Sequence, residues 1–416
     1  MSRRANTWVL LSAAIAIGCY ALIFCELRPR VFWANPDFAG FYRAGRMVLA
    51  GDGRQVYDLA SQRAYDHKLQ ASLLRPGQRM VTLPFLFAPY TLLLFAPIAR
   101  LPYGAAEATW FALNVCAILA VPLLLRERFR LRTGIVIAAL LLSPFFVPVT
   151  LAMMHGQTSL LLLFLLTVVV VSLGRGNDTV AGIALAFATF KPQLALAVLV
   201  ALLAARKFKA LSAFGTTSVA LLASSIAQLG WRGVLGFPRA IVEFEHLPSN
   251  VFQEHPEFMP NLRGLATAAL PGWPKAELAW LIAPVSALLL GIVAVLFARS
   301  SRHDYPLLFS ILLTVTVLTS YHCYLHDASL LVLAGLLTVV HIDAQGWSTN
   351  RAALGTTMAA IFLLPIFLPF AAMAPLMASS LLLFTMLLSL ELIQCAESPR
   401  AAGITSVPSS PALRGS

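Results

Sequence analysis

Charged residues are scarce in this chain of 416 residues: Asp, Glu, Lys and Arg make up only 12% of it, against roughly 25% in an average soluble domain. So few charges exclude a soluble globular protein. Hydrophobic residues reach 59%, and apolar runs of about 17 to 25 residues recur from Trp8 to Gln394, each long enough to cross a bilayer as a helix. The sequence therefore predicts an all-α, polytopic integral membrane protein with about 10–12 membrane helices.

Cysteine is also rare, and the five cysteines are scattered without a CxxC pair or a Cys/His spacing typical of zinc ligands. We infer no disulfide framework and no metal site. The formal net charge of +12 could indicate nucleic acid as a partner. No Lys/Arg-rich stripe lies on a soluble domain, however, so no nucleic-acid partner is expected, and membrane topology explains the charge better.

Basic residues are concentrated in alternate short connectors, which orients the chain because Lys and Arg resist translocation. The basic connectors are 126–132, 174–178, 206–209, 299–304 and 343–351, and the alternating short connectors 154–157, 321–327 and 371–376 carry no Lys or Arg. The pattern predicts a multi-pass protein of the inner (plasma) membrane with its N-terminus and C-terminus in the cytoplasm. Two long polar loops, 26–81 and 230–277, would face outward.

The predicted organisation is one membrane domain over residues 1–397 and a Ser/Pro-rich, disordered cytoplasmic tail over 398–416. Two apolar segments do not fit one crossing each. Residues 83–101 contain several helix-breaking prolines, so they are predicted to re-enter or to lie at the interface. Both ends of 179–205 have cytoplasmic character, which predicts two half-helices that meet at Lys191-Pro192.

An acidic residue, Asp37, follows the first apolar run among the aromatic residues Phe38, Phe41 and Tyr42. A carboxylate in such surroundings can act as a general base, because burial raises its pKa towards the working range. Asp is equally a favoured residue at helix N-caps, and the aromatic residues would then form the apolar face of an interfacial helix. Chemistry alone leaves both interpretations open.

Lys191 is a lone charged residue within an apolar stretch, where a lysine must pair, bind an anion such as a lipid phosphate, or snorkel to the interface. A second polar group, with His322, His326 and Asp327, lies between two apolar runs and indicates either a functional site or a capped turn. Gln157 belongs to the same predicted outer surface and is a weaker candidate.

Taken in order along the chain, these motifs resemble glycosyltransferase family 87, membrane mannosyltransferases of the GT-C superfamily that use polyprenyl-phosphate sugars. The matching stretches are Asp37-Phe38-x-x-Phe41-Tyr42-x-Ala44-Gly45, Phe87-Ala88-Pro89-Tyr90, His155-Gly156-Gln157, Ala181-Gly182 before Lys191-Pro192, and Tyr321-His322 with His326-Asp327.

The resemblance implies a GT-C-type fold with outer-face loops, and transfer with inversion of a hexose, mannose in the relatives, from a polyprenyl-phosphate donor to a lipid or glycan acceptor. Asp37 would be the catalytic base, and Lys191 would hold the carrier phosphate. The other expected substrate-binding residues are Tyr42, Gln157, His322, His326 and Asp327. Donor, acceptor and membrane lipids are the expected partners. No cofactor is expected beyond the lipid-linked sugar phosphate, which is a substrate, and no metal is required because cationic side chains can neutralise a monophosphate leaving group.

Two other functions compete with this interpretation. A transporter or flippase of lipid-linked saccharides would also need a cavity, a broken helix and a phosphate-binding lysine, but transporters usually show inverted repeats and binding residues near the midplane. This chain shows no internal repeat, and its polar groups lie towards one face. A non-catalytic subunit of polysaccharide assembly is the other alternative, and an intact Asp37 argues against it.

Overall fold

A computed structural model describes residues 3–27, 36–73, 83–245, 255–299, 305–368 and 370–397. These residues form helices and turns and contain no strand, so the predicted all-α class is confirmed. The predicted disordered tail, 398–416, and parts of both predicted outer loops lie outside the described residues.

The α-helices of the described residues follow one another closely along the chain. In order they are α1 (Arg3–Leu22), α2 (Pro36–Leu49), α3 (Leu59–Leu73), α4 (Leu92–Ile98), α5 (Tyr103–Phe129), α6 (Thr133–Leu142), α7 (Val147–His155), α8 (Ser159–Gly174), α9 (Asp178–Ala188), α10 (Pro192–Ala204), α11 (Phe208–Glu245), α12 (Leu262–Ala269), α13 (Lys275–Arg299), α14 (Tyr305–Thr319), α15 (Leu331–Gln345), α16 (Thr349–Phe367) and α17 (Phe370–Glu397).

Seven stretches of the described chain are long and apolar enough to cross a membrane, and they centre on α1, α5, α11, α13, α15, α16 and α17. An eighth candidate is the pair α6 and α7, which is bent by 56° where Pro144 and Pro148 interrupt the backbone ladder. Shorter apolar helices such as α8 and α14 lie among them. The polytopic membrane architecture is therefore confirmed, and the predicted 10–12 helices include these shorter ones.

The two unusual segments contain short helices, and the predicted half-helices of 179–205 are present. Residues 83–101 contain one short apolar helix over Pro89–Ile98, about 15 Å long at 1.5 Å per residue, which is too short to cross a bilayer. Residues 179–205 form the half-helices α9 and α10, separated at Lys191 by a non-helical backbone with φ −116° and ψ 76°. Lys207 Nζ lies 3.2 Å from Asp178 Oδ1, so the chain returns to the end from which it started.

The predicted outer loops contain helices that polarity did not reveal. Residues 36–73 form α2 and α3, and α11 continues beyond the predicted loop start at 230 as far as Glu245. Gly230 interrupts α11 with φ 69° and ψ 164°, a left-handed backbone that glycine adopts at little cost. The predicted boundary therefore coincides with a change of direction and not with the end of the helix.

Side chains of the predicted cytoplasmic connectors meet at one end of the bundle. The contacts are Arg132 Nε to Asp343 Oδ1 at 2.8 Å, Arg175 Nη2 to Glu127 Oε1 at 2.7 Å, Arg128 Nη2 to Gly174 O at 2.5 Å and Arg351 Nε to Glu391 Oε1 at 2.6 Å. Connectors with the same predicted sidedness thus lie together, as the alternation of charge requires.

The helix α2 packs closely on the 83–98 segment through its glycines. A Cβ at Gly45 would lie 2.6 Å from Phe95 O, and one at Gly40 would lie 2.7 Å from Leu83 O. Between these contacts the Phe41 ring stacks on the Phe95 ring, with centroids 4.5 Å apart. The backbone of α2, and with it Asp37 in the first turn, is therefore held against α4.

The helix α9 packs just as closely on α11 at Gly182, where a Cβ would lie 2.0 Å from Ala210 O. Because the obstructing atom belongs to the backbone, we expect Gly182→Ala to lower the free energy of unfolding by about 1–3 kcal/mol. Gly215→Ala in α11 is the matched control, since its Cβ meets nothing within 4 Å. Thermal unfolding of the purified variants measures both effects, and equal melting temperatures for the two would contradict this packing.

Candidate active site

A buried ion pair between Lys191 and Asp327 lies at the centre of the candidate site. Lys191 Nζ also donates to Ser159 Oγ at 3.0 Å and to Gln157 Oε1 at 3.3 Å. Ser159 Oγ in turn donates to Asp327 Oδ1 at 2.7 Å. Lys191 does not snorkel, because its amine is buried and all three of its donors have partners.

Three breaks in helical structure bring these side chains together. Lys191 precedes α10, whose first residue, Pro192, needs no backbone donor. Gly156, with φ 67°, ends α7 in the left-handed conformation typical of a helix C-terminus, and Gln157 and Ser159 follow it. Asp327 lies in the 3₁₀ turn Leu325–Leu330 that leads into α15.

Asp37 reaches this group through two histidines. Its Oδ2 lies 3.5 Å from His155 Nδ1, and the His155 and His326 rings are 6.0 Å apart. His326 Nε2 lies 3.5 Å from Asp327 Oδ2. A continuous row of titratable groups thus runs from the first turn of α2 to Lys191.

Asp37 does not occupy the N-cap position. Pro36 is already helical, so Asp37 lies within the first described turn of α2 and Asp37 is not the cap residue; a negative charge near a helix N-terminus is stabilised by the helix dipole. The side chain is buried, and its Oδ2 accepts no hydrogen bond from any described residue. The carboxylate that could have been a cap is therefore directed to another helix, and one of its oxygens is buried without a hydrogen-bond partner among the described residues.

A buried arginine, Arg43, fixes α2 in place. Its guanidinium donates to Asp66 Oδ2 at 2.5 Å, to Gln62 Oε1 at 2.5 Å and to Leu83 O at 3.0 Å. These bonds join α2 to α3 and to the start of the 83–98 segment. Because buried charged groups need such partners, the arrangement leaves α2 little freedom to move.

Helix N-termini add partial positive charge beside the two carboxylates of the site. The helices α2, α8 and α10 begin beside it, and helix N-termini carry partial positive charge. Carbonyl groups from the helix C-termini nearby are occupied by side-chain donors instead. Trp110 Nε1 donates to Gly156 O at 2.8 Å, Tyr90 Oη to Phe187 O at 3.0 Å and Asn261 Nδ2 to Ser320 O at 2.8 Å. The helix N-termini and Lys191 thus offset the negative charge of Asp37 and Asp327.

The family model of glycosyltransferase family 87 matches residues 85–321, more than half of the chain. The chain belongs to glycosyltransferase family 87. It is thus a membrane glycosyltransferase that uses a sugar donor and an acceptor, and the predicted family is confirmed. No curated protein and no solved structure matches the chain significantly.

The family match covers part of the candidate site. His155, Gln157, Ser159 and Lys191 lie inside the matched residues, whereas Asp37 precedes them and Asp327 follows them. The geometry, and not the match, connects these last two residues to the others.

Two predicted substrate-binding residues of this family 87 member lie apart from the Lys191 group. Tyr42 Oη donates to Leu101 O at 3.0 Å, and burial raises the pKa of the Tyr42 hydroxyl. Tyr42 lies about 140° around α2 from Asp37, and its role in binding substrate stays a prediction. His322 contacts the Tyr324 ring, with centroids 4.9 Å apart, and Tyr324 in turn lies near His326.

Sequence reasoning missed Ser159 and gave little weight to His155. A serine at the start of an apolar helix usually bonds to its own backbone, so nothing distinguished Ser159 from the other serines of the chain. The signal for His155 was its position two residues before Gln157 at the end of an apolar run.

One group of described residues in this glycosyltransferase has the spacing of metal ligands: His341, Glu391 and Cys395, whose ligand atoms lie within 4.8 Å of one another. They lie at the end of the bundle that carries the basic connectors. Glu391 Oε1 already accepts a bond from Arg351 Nε at 2.6 Å, so a cation there would compete with the guanidinium. This group has no contact with the candidate site.

The Lys191–Asp327 pair should be strongly coupled. Lys191→Met leaves a buried carboxylate without its counter-charge, and we expect it to lower the free energy of unfolding by about 3–5 kcal/mol. The double variant Lys191→Met/Asp327→Asn removes both charges and should recover much of that loss. Thermal unfolding of the single and double variants measures the coupling.

Lys207→Met provides the control, because the Lys207–Asp178 pair is more exposed and exposed pairs contribute about 0.2–1 kcal/mol. Strictly additive effects of the two substitutions at Lys191 and Asp327 would contradict a direct buried pair.

Proposed function

We propose that this family 87 member transfers a hexose, mannose in the first instance, with inversion, from a polyprenyl-phosphate-linked donor to a lipid or glycan acceptor on the outer face of the membrane. The observation that carries the proposal is the buried carboxylate of Asp37. One of its oxygens accepts no hydrogen bond within the described chain, and it lies in a row of titratable groups that ends at a buried lysine.

In the proposed reaction Asp37 acts as the general base. The acceptor hydroxyl donates to Asp37 Oδ2 and loses its proton as its oxygen forms a bond to C1 of the donor sugar. The bond between C1 and the phosphate oxygen breaks on the opposite side, and the polyprenyl phosphate leaves with the electron pair. His155, 3.5 Å from Asp37 and partly exposed, is placed to accept the proton from Asp37 afterwards.

Lys191 would stabilise the negative charge of the departing phosphate. All three Lys191 donors are used by Asp327, Ser159 and Gln157, so a phosphate must replace one of these partners. Gln157 makes the longest of these bonds and is neutral, which makes it the partner most easily exchanged. Helix N-termini around the site add partial positive charge, and together with Lys191 they would allow the leaving group to depart without a divalent metal.

The outer-face location rests on charge. The connectors at the end opposite the candidate site are the basic ones, and basic connectors stay in the cytoplasm. The proposal therefore places both termini in the cytoplasm, the protein in the inner (plasma) membrane, and Asp37, His155 and Asp327 towards the outer face.

Asp37→Asn tests the chemistry, because it keeps the shape of the side chain and removes the base. We expect transfer from radiolabelled polyprenyl-phosphate-mannose in membranes that contain the enzyme to fall about 10²- to 10⁴-fold. Asp58→Asn is the matched control, since Asp58 is an acidic residue of the same outer segment whose carboxylate caps α3 and Asn caps equally well.

Full activity of Asp37→Asn would refute the role of Asp37. A panel of other polyprenyl-phosphate sugars tests the choice of mannose. A wild-type protein that moves the intact donor between leaflets of a liposome without transfer would instead favour the transporter, and one inactive in both assays would favour a non-catalytic subunit.

Single cysteines in a variant without the native cysteines test the orientation. We expect His67→Cys, in α3, to react with a membrane-impermeant maleimide in intact cells. Trp347→Cys, in an exposed connector at the other end, should react only after the cells are permeabilised, because basic connectors remain inside. Labelling of Trp347→Cys in intact cells would reverse the proposed orientation.

A further inference from the structure

A pocket of about 220 Å³ lies between α12, the start of α13 and the residue Tyr321. The reaction proposed above does not use it. Its wall includes three polar side chains, Glu257, Arg263 and Thr267, and two aromatic rings, Trp273 and Tyr321.

The polar side of the pocket is held in place by contacts within the protein. Arg263 is only 5% exposed, and its guanidinium carbon lies 4.0 Å from the centre of the Tyr321 ring. Arg263 Nη1 also donates to Tyr321 O at 3.4 Å. The planar group and the ring thus hold each other, and the pocket wall is preorganised before anything binds.

The lining matches the chemistry of a sugar ring. Aromatic faces accept the C–H surface of a pyranose, while a guanidinium donates and a carboxylate accepts hydrogen bonds from neighbouring hydroxyls. Glu257, whose Oε1 lies 2.9 Å from His255 Nδ1, disfavours a phosphate because it places a negative charge in the same wall as Arg263. The volume is below the roughly 300–1,000 Å³ of pockets that enclose a drug-sized molecule, which limits the occupant to about one ring.

The pocket is connected to the candidate active site by a short loop. Tyr321 lines the pocket, and Asp327, six residues later, binds Lys191. Six residues span at most about 20 Å when fully extended. An acceptor of a few sugar units that occupies the pocket at one end is therefore long enough to approach the Asp327 side of the candidate site at the other.

We propose that this pocket binds a sugar ring of the acceptor, so that the acceptor is a glycan or glycolipid and not a lipid without sugar. The inference rests on the proposed function and adds the acceptor class to it. The ring would stack on Trp273, which is 50% exposed at the pocket rim, and its hydroxyl groups would face Arg263 and Glu257.

Sugar binding can be measured without catalysis. The probes are methyl α-mannopyranoside, methyl α-glucopyranoside and mannobiose, with saturation-transfer NMR on the full chain in phospholipid nanodiscs, because the maltoside head group of common detergents is itself a sugar. We expect at least one probe to bind, and Trp273→Ala to weaken that binding about tenfold, as the loss of a central aromatic contact does.

Two further variants separate a specific effect from damage to the fold. Trp280→Ala removes an 81% exposed tryptophan that does not line the pocket, so it should bind like the wild type. Ala279→Phe fills the pocket without removing a polar group and should weaken binding as Trp273→Ala does.

Each outcome decides for or against the pocket. Absence of saturation transfer to any of the three probes, or equal binding by wild type and Trp273→Ala, overturns the inference. Asp37→Asn should bind the probes normally. Loss of transfer chemistry with intact, Trp273-dependent sugar binding would therefore count against the proposed reaction alone, whereas normal transfer without such binding would count against the pocket alone.

Discussion

A charge buried inside an apolar bundle must be compensated, and the Lys191–Asp327 pair meets that requirement here. Removing two charges from water costs several kcal/mol per ion, and the pair recovers this only with good geometry and further hydrogen bonds. Ser159 and Gln157 supply those bonds. This ion pair therefore holds three parts of the chain together: the break between α9 and α10, the start of α8, and the turn before α15. The other residues of the candidate site lie around the pair.

Asp37 is positioned by a second set of contacts, which is independent of the Lys191 pair. Close packing at Gly40 and Gly45 sets α2 against the 83–98 segment, and the buried Arg43 ties it to α3. The two sets meet across His155 and His326, so the separation between Asp37 and Lys191 depends on how α2 and its partners pack against the helices that carry the Lys191 pair.

The sequence was most informative where a polar or helix-breaking residue lies in an apolar stretch. A lysine and a proline inside an apolar stretch predicted the break between α9 and α10, because both are costly in an unbroken membrane helix. The partner of Lys191 was not predictable as such, since Asp327 is 136 residues away and no periodicity encodes that contact. The contacts of Tyr42 were not predictable, because aromatic residues look alike in sequence whether they bind substrate or pack on a ring such as Tyr103. A shift of one residue in the start of α2 decides whether Asp37 is the N-cap, and sequence patterns do not locate helix boundaries that precisely.

The ion pairs among the basic connectors bear on the route by which substrates and products can enter and leave. They join the ends of several helices, and Glu391 among them is fully buried. Opening a passage towards that face would require separating these contacts together. In the proposed reaction, substrates therefore enter and products leave at the same end of the bundle, and the spent carrier lipid returns to the leaflet that delivered the donor.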